Sequence, residues 1–204
     1  MLLENLAMNQ RMFANEPHGS LSRAYMNLAT LYGDLGRYRE AAELMEEGYP
    51  VSVDALGAEH PRTALHLAST GIARQRIGDE AGATEAVDEA YRITLENGGP
   101  GDRTHERVVF SRGRLHTLQG NAEPALVDLS RWHQRNVDML GERHFAVAEA
   151  RYWLAEAHLL AGDPDIARPL LESSVEVFEE IFGPEHYAAL RSRAALARAR
   201  QEAP

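Results

Sequence analysis

In the stretch HPRTALHLASTGIARQRI, residues 60–77, the apolar positions Leu65, Leu67, Ala68, Ile72 and Ile77 fall on one broad helical stripe and not in the alternation of a strand. His60 stands at a cap position, and Pro61 follows in the first turn, where its missing N–H leaves no hydrogen bond unmade. Gly78 supplies a stop and Asp79 a new N-cap. The next apolar set, Ala83, Ala86, Val87, Ala90, Tyr91 and Ile93, again has helical spacing and ends near Asn97 and Gly98, with Asp88 and Glu89 on its outer side. This pattern predicts two antiparallel helices joined by a short turn.

The pattern recurs. LGAEHPRTA at 56–64 returns as MLGERHFAVA at 139–148 and as IFGPEHYAAL at 181–190. Gly57, Gly99, Gly141 and Gly183 are spaced by 42 residues, and so are Gly36, Gly78, Gly120 and Gly162 midway between them. His18, His60, Asp102, His144 and His186 keep the same step, with Asp102 an equally good cap. Two columns of small residues, Ala29, Gly71, Gly113, Ala155 and Ala41, Ala83, Ala125, Ala167, share the period. A fixed period of this length is the signature of a helical repeat array. The small columns predict a close approach of the two helices of each hairpin.

The text AYMNLATLYGDLGRYREAAELMEEG at 24–48 followed by LGAEHPRTA resembles tetratricopeptide repeats of the long, 42-residue kind found in kinesin light chain and in related bacterial proteins. A HEAT or armadillo array has a similar period, but the glycine between paired helices and the small columns favour the tetratricopeptide pattern. The resemblance implies an all-α, right-handed superhelical solenoid of antiparallel hairpins with about ten helices. Within a single array over 1–204, phase places a second helix alone at 1–15, full repeats at 16–57, 58–99, 100–141 and 142–183, and a first helix alone at 184–204. Orphan helices at both ends predict either a piece of a longer protein or ends covered by a partner or a second copy.

Composition narrows the functional classes. The 204 residues hold 21 basic and 31 acidic side chains, a net charge of -10, which disfavours nonspecific binding to nucleic acid or to anionic membranes. Every basic residue is arginine, so a Schiff-base or phosphate-loop lysine is excluded. The absence of cysteine excludes disulfides, thiolate metal sites and cysteine nucleophiles. No run approaches the length of a membrane span, and the N-terminal text is unlike a secretory signal, so a cytoplasmic setting is expected.

Of the nine histidines, four occupy the repeated turn and suit helix starts better than a shared metal. The stretch HERVV at 105–109 lacks the second histidine of a zinc protease motif, and no nucleophile elbow, phosphate loop or dinucleotide fingerprint occurs. No enzyme activity, cofactor or metal is therefore expected.

By the resemblance, the inner face of the first helices binds extended peptides. Its rows are Arg23, Leu65, Arg107, Glu149, Arg191; Met26, Ala68, Phe110, Tyr152, Ala194; Asn27, Ser69, Ser111, Trp153, Ala195; and Thr30, Ile72, Arg114, Glu156, Arg198. Asn27 matches the asparagine that holds a ligand backbone in related repeats, although the other repeats depart from it. Arg107, Phe110, Ser111 and Arg114 share one helical face, and with Tyr152 and Trp153 they predict a basic pocket with an aromatic wall. An acidic or C-terminal peptide with a bulky apolar anchor fits such a pocket. The same rows also allow internal ladders, Arg107–Glu149–Arg191 and Arg114–Glu156–Arg198. The expected function is a non-catalytic adaptor or scaffold that binds protein or peptide. The alternative is an oligomerising spacer, or the regulatory arm of a larger bacterial signalling protein with a kinase or nucleotide-binding domain elsewhere.

Overall fold

Helix caps and turns set the architecture before any core forms. A computed structural model describes Met8 and residues 19–202 of the chain. The described residues form nine helices and no strand: α1 Gly19–Asp34, α2 Tyr38–Leu56, α3 Pro61–Arg76, α4 Glu80–Glu96, α5 Arg103–Leu118, α6 Ala122–Leu140, α7 Phe145–Ala161, α8 Pro164–Phe182 and α9 Tyr187–Glu202. The lone second helix expected over 1–15 lies outside the described residues apart from Met8.

The turns are built as the sequence grammar requires. His60 and His144 are N-caps whose Nδ1 accepts from the amide two residues on, at 3.0 Å from Arg62 and 3.1 Å from Ala146. Nδ1 of His186 stands in the same relation to Ala188, at 3.3 Å. Where Asp102 replaces histidine, one carboxylate oxygen accepts from both Thr104 and His105, at 2.8 and 3.0 Å. Asp79 caps α4 by accepting from Gly82 at 3.0 Å. Gly57, Gly141 and Gly183, which end α2, α6 and α8, hold φ of 90, 79 and 87° with ψ of 153, 162 and 162°, a region that L side chains avoid.

The chain divides into two compact units, Met1–Leu115 and His116–Pro204, with the boundary inside α5. In the first unit, Ala64, Leu65 and Ala68 of α3 meet Ala90 and Ile93 of α4 and Val108 of α5. Ala29, Ala41, Ala42, Met45 and Ala73 form a second cluster, and Leu21, Ala24, Tyr25 and Leu28 a third. The small columns do what their size predicts. A methyl on Gly71 would meet Val87 Cγ2 at 2.7 Å and the Ala83 carbonyl at 2.8 Å, so α3 and α4 touch where two small columns face.

In the second unit Ala155 and Ala167 pack with Leu171, Ala195, Leu196 and Ala199. Phe178, Val177, Ala148, Ala188 and Ala189 form the companion cluster. Pro169 lies within α8, in its first turns.

Candidate functional site

The first unit gathers five of the expected inner-column residues around one open cavity of about 660 Å³. Arg23, Met26 and Asn27 of α1, Leu65 of α3 and Arg107 of α5 line it. Arg23 and Asn27 are exposed one helical turn apart, whereas Ala24 and Tyr25 between them and Leu28 just beyond are buried. The walls also carry two arginines outside those columns, Arg62 in the first turn of α3 and Arg103 at the start of α5. Gly19, Ser20 and Thr104 complete that edge, which therefore sits at the N-terminal ends of three helices. Ala55 and Leu56, from the last turn of α2, give it an apolar floor.

No carboxylate lines this cavity. Among the described residues, the guanidinium groups of Arg23, Arg62, Arg103 and Arg107 make no ion pair, so four positive charges face one space in a chain whose total charge is -10. Arg107 keeps an exposed side chain within a concave wall. Crowding by protein atoms and then the neighbouring Arg103 charge pull its pKa below the ordinary guanidinium value. A second cavity in the same unit, about 600 Å³, is unlike it. There Glu43, Glu46, Glu47 and Asp79 accompany Arg39 and Arg74, and Arg74 pairs with Glu46 at 2.6 Å.

The other candidates on α5 lie close to one another. The Arg114 guanidinium stands 5.6 Å from the Phe110 ring centroid. Ser111 is buried, and its hydroxyl donates to the Arg107 carbonyl at 3.2 Å, a bond internal to the helix. The irregular Arg112, at a column position held by leucine in α1 and α7, lies 3.7 Å over the Tyr91 ring, which replaces an apolar contact by a cation–π contact.

The second unit pairs its charges internally. Arg191 bonds Glu149 and Arg198 bonds Glu156, each 42 residues away. The Trp153 indole is buried at 3% exposure and donates to Glu149 at 3.0 Å. The Arg191 guanidinium lies 4.4 Å over the Tyr152 ring. Burial, reinforced by Glu156, pushes the Tyr152 phenol up to about 12, so it stays protonated at neutral pH. Two of the ladders allowed by the sequence are thus real between their last two members.

Sequence reasoning passed over Arg62 and Arg103. The signal was present: the edge positions recur with the 42-residue step, Gly19 to Arg103 and Ser20 to Arg62 to Thr104. Attention to the middle of the inner face hid the first turn. Among the described residues, no group of three or more histidine, aspartate or glutamate side chains is placed to hold a metal ion. No described helix is long and apolar enough to cross a membrane.

Antiparallel helix hairpins with small facing columns, capped turns and a lined inner face define a helical repeat protein of the interaction-module class. The family model for the tetratricopeptide repeat matches residues 20–96 and 146–203, and the chain belongs to that family. The intervening stretch contains the irregular Arg112 and also Trp132, which stands in the 42-residue column otherwise held by the small Gly48, Ala90 and Ser174. The chain is similar to the solved structure of a Podosopora anserina putative kinesin light chain with nearly identical TPR-like repeats. Identity is 24% over 88% of this chain and 85% of that one, with a TM-score of 0.63. It is also similar to BtubC (BKLC) from P. vanneervenii, 17% identical over 98% of this chain and 87% of that one, with a TM-score of 0.65. A comparison with curated proteins found no match.

Proposed function

We propose that this chain is a non-catalytic adaptor or scaffold module of the cytoplasm that holds an extended acidic peptide against its first helices. The observation that supports the reading most is the charge of the cavity in the first unit. Arg23 and Arg107 flank Asn27 and the apolar Met26 and Leu65, with no carboxylate among the lining residues. Guanidinium groups suit carboxylates, Asn27 can hold a peptide backbone, and Met26 and Leu65 offer contact to an apolar anchor. Phe110 and Arg114 on α5 are proposed as further contacts of the first unit, and Tyr152, Glu156 and Arg198 on α7 and α9 as a separate candidate patch of the second unit.

Selection from a library of displayed, extended peptides tests this. Recovered peptides should bind the wild-type chain, weaken at least tenfold on Arg107→Glu and be unaffected by Arg200→Ala, which removes only an outlying pair with Glu172. Recovery of no peptide, or equal binding to Arg107→Glu, sinks the reading.

The spacer reading has its own support. The Arg191–Glu149 and Arg198–Glu156 pairs neutralise the inner columns of the second unit, as a structural or oligomerising segment requires. A regulatory arm of a larger bacterial signalling protein belongs to this second reading. Light scattering across a concentration series separates the two: a dimer that dissociates on dilution supports assembly, and a monomer throughout supports the peptide module.

A further inference from the structure

We infer that the four-arginine cavity of the first unit is a phosphoryl-recognition site, and that the ligand segment it takes is a phosphorylated peptide. The inference rests on the peptide-binding reading above and narrows its ligand class.

Charge count carries the argument. Arg23, Arg62, Arg103 and Arg107 enclose about 660 Å³ without a lining carboxylate, and none of the four has an ion pair among the described residues. Most other arginines of the chain are committed elsewhere, as in Arg74–Glu46, Arg92–Glu59 and Arg193–Glu179. One peptide carboxylate would answer one charge of four. A phosphoryl group brings a charge of about -1.5 to -2 and three strong acceptor oxygens to one point. Guanidinium forks match those oxygens in pairs, which an ammonium does not.

The backbone adds to the same sign. The cavity edge is formed by the first residues of α1, α3 and α5, where helix dipoles present their positive ends. Asp102 and His60 cap α5 and α3 but do not line the cavity; their acceptor atoms are committed to backbone amides. The Arg62 guanidinium reaches across to α1, and a methyl on Gly19 would lie 3.8 Å from its Nη2. Met26, Leu56 and Leu65 leave apolar surface beside the charges for the side chains that flank a modified residue. The depressed pKa of Arg107, set first by crowding of protein atoms and then by the Arg103 charge, fits a cation that gains from an arriving anion.

Fluorescence anisotropy with the full chain and three degenerate peptide pools provides the test. The pools share flanking composition and carry phosphoserine, glutamate or serine at the centre. The phosphoserine pool should bind at least tenfold tighter than either other pool, weaken steeply with salt and be displaced by millimolar inorganic phosphate. Arg62→Ala and Arg103→Ala should each lower that affinity about tenfold with unchanged thermal melting. Arg62→Lys should restore only part, because it returns charge without the fork, and Arg200→Ala, which removes only the outlying pair with Glu172, should change nothing. If the three pools bind alike, the inference falls and the peptide-binding reading stands. If inorganic phosphate binds but no pool does, both fall, and the cavity is a small-anion site.

Discussion

The hydroxyl of Ser22 donates to Nδ1 of His66 across 2.9 Å, tying α1 to α3 through a ring with no exposed surface. The other ring nitrogen lies 3.0 Å from the Met45 carbonyl. A carbonyl can only accept, so Nε2 carries the proton and the ring is neutral.

Burial lowers the His66 pKa from 6.5 to about 4, against smaller opposing effects from the Met45 carbonyl and Glu46. The sign of the linkage follows: above pH 6.5 both folded and unfolded rings are neutral and stability is full. As pH falls from 6.5 to 4 the unfolded ring takes a proton that the folded ring refuses, and stability drops by about 3 kcal/mol. Below pH 4 this contribution is constant. Chemical denaturation of the wild type and His66→Gln at pH 7 and pH 4.5 checks it. The difference between the two pH values should shrink in the variant; an unchanged difference refutes the assignment.

Gly48 of α2 leaves no room for a side chain. A methyl there would lie 2.5 Å from Tyr25 Cβ and 2.8 Å from His66 Cε1, so Gly48→Ala should destabilise by about 1–3 kcal/mol. Gly33, near the end of α1, has nothing within 4 Å of its added carbon, and Gly33→Ala should gain about 0.5–1 kcal/mol. Thermal melts of the two variants should therefore move in opposite directions.

The turn histidines act as caps, so His144→Ala should lose about 1 kcal/mol, whereas His144→Asp should retain the wild-type stability. Asp102 shows that the carboxylate works at the equivalent position. Equal losses in both variants would mean that the ring's contact with Phe145, 4.6 Å between centroids, matters more than the hydrogen bond.

Arg191 and Glu149 are each about three-quarters buried and also hold Tyr152 and Trp153 in place. A double-mutant cycle with alanine at both positions should give a coupling of about 0.5–1 kcal/mol, above the median for exposed pairs. A coupling indistinguishable from zero would remove the structural reason for this ladder and return Arg191 to the ligand-binding candidates.

Much of the fold was legible because its determinants are local. Asp79, His60 and the column glycines act within a few residues of themselves, and Gly71 against Ala83 repeats a relation visible at 42-residue spacing. The site was legible only by halves. Columns put Arg23 and Arg107 in one row, and both line the cavity of the first unit. They could not tell whether arginine meets glutamate or open water, since Arg191 and Arg107 occupy one column and only the former pairs with Glu149. That choice depends on side-chain rotamers. Trp153 was read as an exposed wall and is buried because its indole finds Glu149 on its own helix, four residues earlier.

The glycines that close α2, α6 and α8 have nothing within 4 Å of their missing side chains, so geometry and not crowding reserves those positions. An L-alanine at Gly57, Gly141 or Gly183 would therefore meet open space and still lose stability, because the cost lies in the residue's own backbone torsions and in no neighbour, so the least occupied points of the molecule are among its least replaceable.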